Sequence, residues 1–358
     1  MSKRATPCRP VQGIARRTIV ATFLLAGSGI AAADIPARQV AWSRYKARFL
    51  LPTGRIVDTD NGGVSHSEGQ AWGMLLAVVH NDRPTFDVML GWTQRNLAIR
   101  GDRLLAWRYN PATASPVLDL NCATDGDLCY AWALLRAAER WQSTEYHALA
   151  RVIAADILSF AARRLDGRII LLPGAWGFEQ INQIIVNPSY YVFPALEALA
   201  DAFPRPEWRS LLEEGDRLMR EARFGRWALP TDWVALSRRG GTFQPEPQRG
   251  TRFGLDAVRV PLFLAWSGRW QASPLASARH FWSDPSLPYM PAWVDVIQDR
   301  IAPFAAGLGT AAVESLTRRQ SSEGTLTAAP EGGYYQASLA MLADAAFQEA
   351  PPAPRIGA

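Results

Sequence analysis

The chain of 358 residues is 48% hydrophobic and 20% charged, a balance that buries a large core in one domain and excludes a disordered or fibrous protein. Its formal charge of +5 comes from the first 33 residues, where Lys3, Arg4, Arg9, Arg16 and Arg17 stand without an acidic residue. From Asp34 onward the chain is balanced, which speaks against nucleic acid or any other polyanion as a partner.

Those basic residues precede an apolar run over 18–26, and Ala31, Ala32 and Ala33 then offer a small-residue cleavage site. The pattern predicts a secretory signal over 1–33, too short and too interrupted by glycine to span a membrane stably, and hence a periplasmic or secreted protein. Apolar residues at helical spacing then predict helices over 40–49, 69–79, 86–97, 128–141, 146–162, 190–200, 208–222, 253–266, 301–316 and 335–347. Short β-like pieces over 54–58, 104–109 and 167–172 lie between them. The chain reads as all-α, a single domain over 34–348 whose many helices suit a closed ring of helix pairs, followed by a disordered tail over 349–358. Its 14 Trp serve as core anchors or as a binding surface. Cys8 falls in the signal, and Cys122 and Cys129 flank a predicted helix start, where a bridge is geometrically unfavourable. The 4 His lack the spacing of metal ligands.

Three stretches place carboxylates beside small, polar and aromatic residues. In VSHSEGQAWGM, Ser65 and Glu68 have the spacing of a capping box, whose two side chains satisfy free backbone N–H groups. Alternatively Glu68 is a general acid, provided that nearby carboxylates and the apolar Trp72 hold its proton against a helix N-terminus, which favours the anion. In NCATDGDLCYAWALLRAAERW, Thr124 and Asp127 also fit a cap, while Asp125 stands ahead of the helix in a loop, where it can hold a sugar hydroxyl or stabilise positive charge. In RFGLDAVRVPLFLAW, Asp256 and Arg259 are three apart on an apolar helix, either a plain ion pair or a base that the arginine keeps ionised. One carboxyl kept protonated and another kept ionised is the requirement of glycoside hydrolysis, and their separation decides the stereochemistry. No nucleophilic triad, phosphate loop or dinucleotide fingerprint competes with that reading.

At these stretches the chain resembles glycoside hydrolase family 8, in particular its periplasmic endoglucanases encoded with bacterial cellulose synthase. The resemblance runs from about Trp42 to about Leu342 through GRIVDTDNGGVSHSEGQAWGMLLAV, ATDGDLCYAWALLRAAERW, INQIIVNPSYYVFPAL, LPTDWV and RFGLDAVRVP. It implies an (α/α)6 barrel with short β-hairpins lining an open groove, no metal or organic cofactor, and inverting hydrolysis of internal bonds in β-1,4-glucan chains. Glu68 falls on the family's general acid, Asp125 on the carboxylate that holds the distorted sugar, Asp256 on the general base, and Arg259 on the residue that pairs with the base. Trp107, Asn187, Tyr190, Tyr191, Asp232, Trp233 and Tyr335 fall along the glucan groove. Many members carry Tyr immediately before the base, where it helps to position the attacking water; here that residue is Leu255, so another hydroxyl replaces it or the enzyme is slower. The family also holds xylan, lichenan and chitosan hydrolases, so the fold alone does not fix the sugar. A rival reading is a glycan-binding or assembly factor of a polysaccharide-secretion system such as the cellulose-synthase apparatus.

Overall fold

Apolar and small residues occupy every side of the segment from Ser67 to Val79, so it folds as a helix buried nearly all round, and the molecule is built about several helices of this kind. The computed structural model describes residues 34–322, 326 and 332–352. Among them run α1 (Asp34–Phe49), α2 (Ser67–Val79), α3 (Arg83–Asn96), α4 (Thr124–Trp141), α5 (Thr144–Phe160), α6 (Phe193–Ala202), α7 (Pro206–Glu221), α8 (Arg259–Trp266), α9 (Ser273–Trp282), α10 (Leu308–Thr317) and α11 (Tyr334–Glu349). Helices α2, α4, α6, α8 and α11 pack one on the next, and α11 returns to α2 and closes a ring, with α10 fitted against α8 and α11. Helices α3, α5, α7 and α9 lie outside, each on the inner helix that precedes it in the chain. Burial follows this division: α8 is buried throughout, whereas α7 turns only one apolar face inward.

Short antiparallel strands sit in the connections. β1 (Ser65–His66) pairs with β2 (Arg108–Tyr109), and β3 (Ala162–Leu165) pairs with β4 (Arg168–Leu171). β5 (Gln183–Val186), β6 (Val234–Ser237) and β7 (Phe243–Pro245) form one three-stranded sheet. β8 (Arg252–Phe253), β9 (Val294–Asp295) and β10 (Arg300–Ile301) form another.

Most predicted helices are present, beginning a little earlier than their apolar residues mark because the first turn is polar. Four expectations need correction. Over 253–266, a strand and a turn precede α8, which begins only at Arg259. Over 301–316, β10 comes first and α10 starts after the extended Gly307. Tyr190 closes a separate 3-10 turn (Pro188–Tyr190), ahead of α6. Sequence reading misses α9, whose first turn carries Pro274, a position where the absent N–H costs nothing. Of the β-like pieces, 167–172 yields β4, 104–109 yields β2 at its end, and 54–58 makes only isolated bridges such as Leu50 with Ile56. The expected signal over 1–33 and residues 353–358 of the expected tail lie outside the described residues. No helix among the described residues is long and apolar enough to cross a membrane, and Cys122 and Cys129 are both buried and free.

Candidate active site

The N-terminal ends of α2, α4 and α8 converge, and each delivers one side chain to a common point. Arg259, the first residue of α8, is 1% exposed. Its Nη1 donates to Glu68 and, at 2.7 Å, to Asp125 Oδ2; its Nη2 donates to Asp256 Oδ1 at 2.6 Å. One guanidinium thus faces three carboxyl groups. Taking three negative charges out of water against one positive charge is costly, and the cost falls when a carboxyl keeps its proton. Burial pushes Glu68 well above the usual carboxylate range; Arg259 opposes this, while Asp125 and Asp256 push the same way as burial. Burial also raises Asp256, but Arg259 and the Asn187 amide, which donates at 2.9 Å, favour its anion. Asp125 is 1% exposed, whereas the side chains of Glu68 and Asp256 keep 19% and 29% of their surface. The two carboxyls suited to proton exchange are therefore the two that reach the open. They sit on different amino nitrogens of the arginine, Glu68 on Nη1 and Asp256 on Nη2.

Neither expected helix cap forms. The Ser65 hydroxyl donates to the Ile56 carbonyl, His66 is the residue ahead of α2, and Glu68 turns to Arg259 instead of back on its own helix. Thr124 is already helical and donates to the Leu172 carbonyl at 2.7 Å, while buried Asp127 accepts from the Leu105 N–H at 2.8 Å. Asp125 stands in the first turn of α4, not in a loop ahead of it. Gly126 lets the two helix starts touch, since a Cβ there would lie 2.7 Å from the Glu68 nitrogen.

The turn ahead of α8 has a similar cause. Asp232 Oδ1 accepts from the backbone N–H groups of Gly254, Asp256 and Ala257 at 3.0, 3.1 and 2.7 Å. Those amides are withheld from a helix, so α8 begins after them, and Pro261 falls in its first turn, where an N–H has no helical partner. Asp256 and Arg259 consequently flank a helix start and do not ride on a helix. Nor is Arg259 a private partner of Asp256, because all three acids share it. Burial and the neighbouring Asp256 push Asp232 up to about 7, against the pull of the turn's amides.

Aromatic residues border the acids. Trp107 is half-buried, donates its indole N–H to Asp119 at 2.8 Å and stacks on His66. Pairing of Val186 with Val234 sets Asn187 and Trp233 at the same end of one sheet. Trp233 stacks on Phe178 with ring centres 6.0 Å apart and tilts against Tyr190, whose ring lies against the Arg259 guanidinium. Tyr335 packs beside Trp72 and donates its hydroxyl to the Leu255 carbonyl. Tyr191 departs from the expected groove: it is 2% exposed, its hydroxyl accepts from the Leu171 N–H at 3.0 Å, and its ring fills the space left by Gly215. Sequence reasoning misses Trp176, which is 50% exposed. Asn121 ties its loop to that of Trp107, donating to the Trp176 carbonyl at 2.9 Å and accepting from the Trp107 N–H at 2.9 Å. A Trp in the turn PGAWG, with glycines on either side, is the signal that could have found it.

Residues 13–349 match the family model described as glycosyl hydrolases family 8. An endoglucanase of Cellulomonas uda is 42% identical over 279 residues, which are 78% of this chain and 77% of that protein. A probable endoglucanase of Novacetimonas hansenii is 40% identical over 313 residues, 87% of this chain and 90% of that one. Among solved structures, an endoglucanase of Klebsiella pneumoniae described as a family 8 glycosyl hydrolase superposes with a TM-score of 0.80 at 40% identity, over 86% of this chain and 99% of its own. The ring of helices in this chain is the (α/α)6 barrel of such enzymes.

Proposed function

The chain belongs to glycosyl hydrolase family 8, and from that premise we propose that it cuts internal β-1,4 bonds of glucan chains with inversion, Glu68 serving as acid and Asp256 as base. It is an enzyme, a glycoside hydrolase of the endoglucanase kind. The observation that carries the residue assignment is the single guanidinium shared by three carboxyls, of which Glu68 is pushed well above the usual carboxylate range by burial, while Arg259 and the Asn187 amide oppose the rise that burial causes at Asp256. Glu68 gives its proton to the glycosidic oxygen as the bond from that oxygen to the anomeric carbon breaks. A water attacks the anomeric carbon from the opposite face and yields a proton to Asp256, so the new hydroxyl has inverted configuration. Asp125, fixed on Arg259, stabilises the positive charge that develops on the distorted sugar. Trp107, Trp176, Trp233 and Tyr190 offer ring faces along the chain, which suits a polymer and internal cleavage.

The catalytic unit we assign to 34–348 is the whole ring, with 1–33 as an export signal. A periplasmic or secreted place, and work on nascent chains beside a cellulose synthase, are supported by the N-terminal pattern and by the likeness to cellulose-operon endoglucanases.

Reducing-sugar release from carboxymethylcellulose, xylan and chitosan, measured beside Glu68→Gln and Asp256→Asn, tests this reading. Activity on carboxymethylcellulose that falls by roughly 10² to 10⁴ in each variant is expected. Proton NMR of the first product should show the α-anomer; a β-anomer would overturn inversion. Preference for xylan or chitosan would move the substrate, and inactivity of the folded wild type on all three would favour the binding or assembly role.

A further inference from the structure

We propose that Asp232 and Tyr335 are positioning residues that hold the peptide plane between Leu255 and Asp256 at both of its ends and so aim the base. The inference rests on Asp256 being the base. The N–H of that plane, on Asp256, donates to Asp232 Oδ1 at 3.1 Å, and its carbonyl, on Leu255, accepts from the Tyr335 hydroxyl. A peptide group is rigid, so hydrogen bonds at its two poles leave it little freedom to rotate. Asp232 adds the amides of Gly254 and Ala257 on either side, and one carboxylate oxygen thereby gathers the whole turn.

No side chain in the turn supplies an equivalent anchor. Leu255 is 66% exposed, and Gly254 has none. The glycine is itself a condition of the arrangement, since a Cβ at 254 would stand 2.6 Å from Asp232 Oδ2. The two holding groups come from distant parts of the chain, Asp232 from the bend just ahead of β6 and Tyr335 from the first turn of α11. They converge on the backbone one bond from the base, whose carboxyl must be aimed at a water to within a fraction of an ångström. Both residues act here through the main chain and not by touching sugar.

The test compares Asp232→Ala, Asp232→Asn, Tyr335→Phe and Gly254→Ala in kinetics on carboxymethylcellulose and in crystal structures. Asp232→Ala should lower kcat about 10- to 100-fold with KM changed by less than about twofold. Asp232→Asn keeps an acceptor oxygen and should recover most of that loss; Tyr335→Phe should lower kcat by a smaller factor. Gly254→Ala displaces the carboxylate without removing it and should reproduce the loss, which covers the case of an Asp232→Ala protein that does not fold. A rise in KM with kcat preserved would overturn the proposal in favour of a sugar contact, as would an Asn variant no better than Ala. Crystal structures of Asp232→Ala or Gly254→Ala should show the Asp256 carboxyl moved off Asn187 and Arg259; a carboxyl still in place refutes the clamp whatever the activity. If the wild type cleaved no glucan while the carboxyl did move, the proposed function would fail and the clamp would stand.

Discussion

Asp127 shows how much a single side chain depends on what folds over it. Its spacing after Thr124 is that of a helix cap, yet it is wholly buried, and one of its oxygens accepts from the Leu105 N–H. Burial raises its carboxyl well above the usual range, so an uncharged amide is a close substitute. Asp127→Asn should leave urea stability within about 1 kcal/mol of wild type, whereas Asp127→Ala, which orphans the Leu105 amide, should cost about 1–3 kcal/mol. If Asn and Ala proved equally costly, the charge and not the acceptor would be what matters. The site acids were legible because carboxylates beside glycine and aromatic residues are unusual in apolar surroundings. The caps misled because three-residue spacing is common to a capping box and to a carboxyl aimed at something else. Tyr190 and Tyr191 were inseparable in sequence: they are neighbours, and only the 3-10 turn between β5 and α6 sends one to the acids and the other into the core.

At the scale of elements, helix periodicity was the most legible feature and helix starts the least. The start of α8 depends on Asp232, more than twenty positions away, taking three amides that a local pattern assigns to a helix. The starts of α2 and α4 depend equally on contact between them. A Cβ at Gly126 would meet the Ser67 hydroxyl oxygen at 2.5 Å and the Glu68 nitrogen at 2.7 Å, and the latter is backbone that cannot step aside alone. Gly126→Ala should therefore separate the two helix ends, lowering stability by about 1–3 kcal/mol and reducing kcat, because Glu68 and Asp125 move with them. Gly101→Ala, where nothing lies within 4 Å of the added carbon, is the control and should change neither. Equal behaviour of the two variants in urea unfolding and turnover would show that the helix starts tolerate separation.

Across the whole molecule, the closed ring brings the starts of α2, α4 and α8 to one place, and no segment of sequence displays that meeting. Its consequence is a fold that carries a destabilising charge problem at its functional end. Glu68 has a folded pKa raised by burial, so the folded state binds its proton more tightly than the unfolded state does. That contribution to stability is complete below the unfolded value, near pH 4, and is lost as pH rises through the folded value. Asp82 runs the other way: its bonds to Lys46, Trp42 and Thr85 lower it to about 2, so its contribution is present above about pH 4 and lost as pH falls toward 2. Glu68→Gln removes the first term and keeps the second, while its amide oxygen still accepts from Arg259. The variant should melt close to wild type near pH 4 and progressively above it as pH increases, each unit of the raised pKa corresponding to about 1.4 kcal/mol. Thermal unfolding of the two proteins across that pH range measures the difference. A gap that stays constant with pH would mean that Glu68 titrates alike in the folded and unfolded chains, and that the shared guanidinium, not a retained proton, balances the cluster.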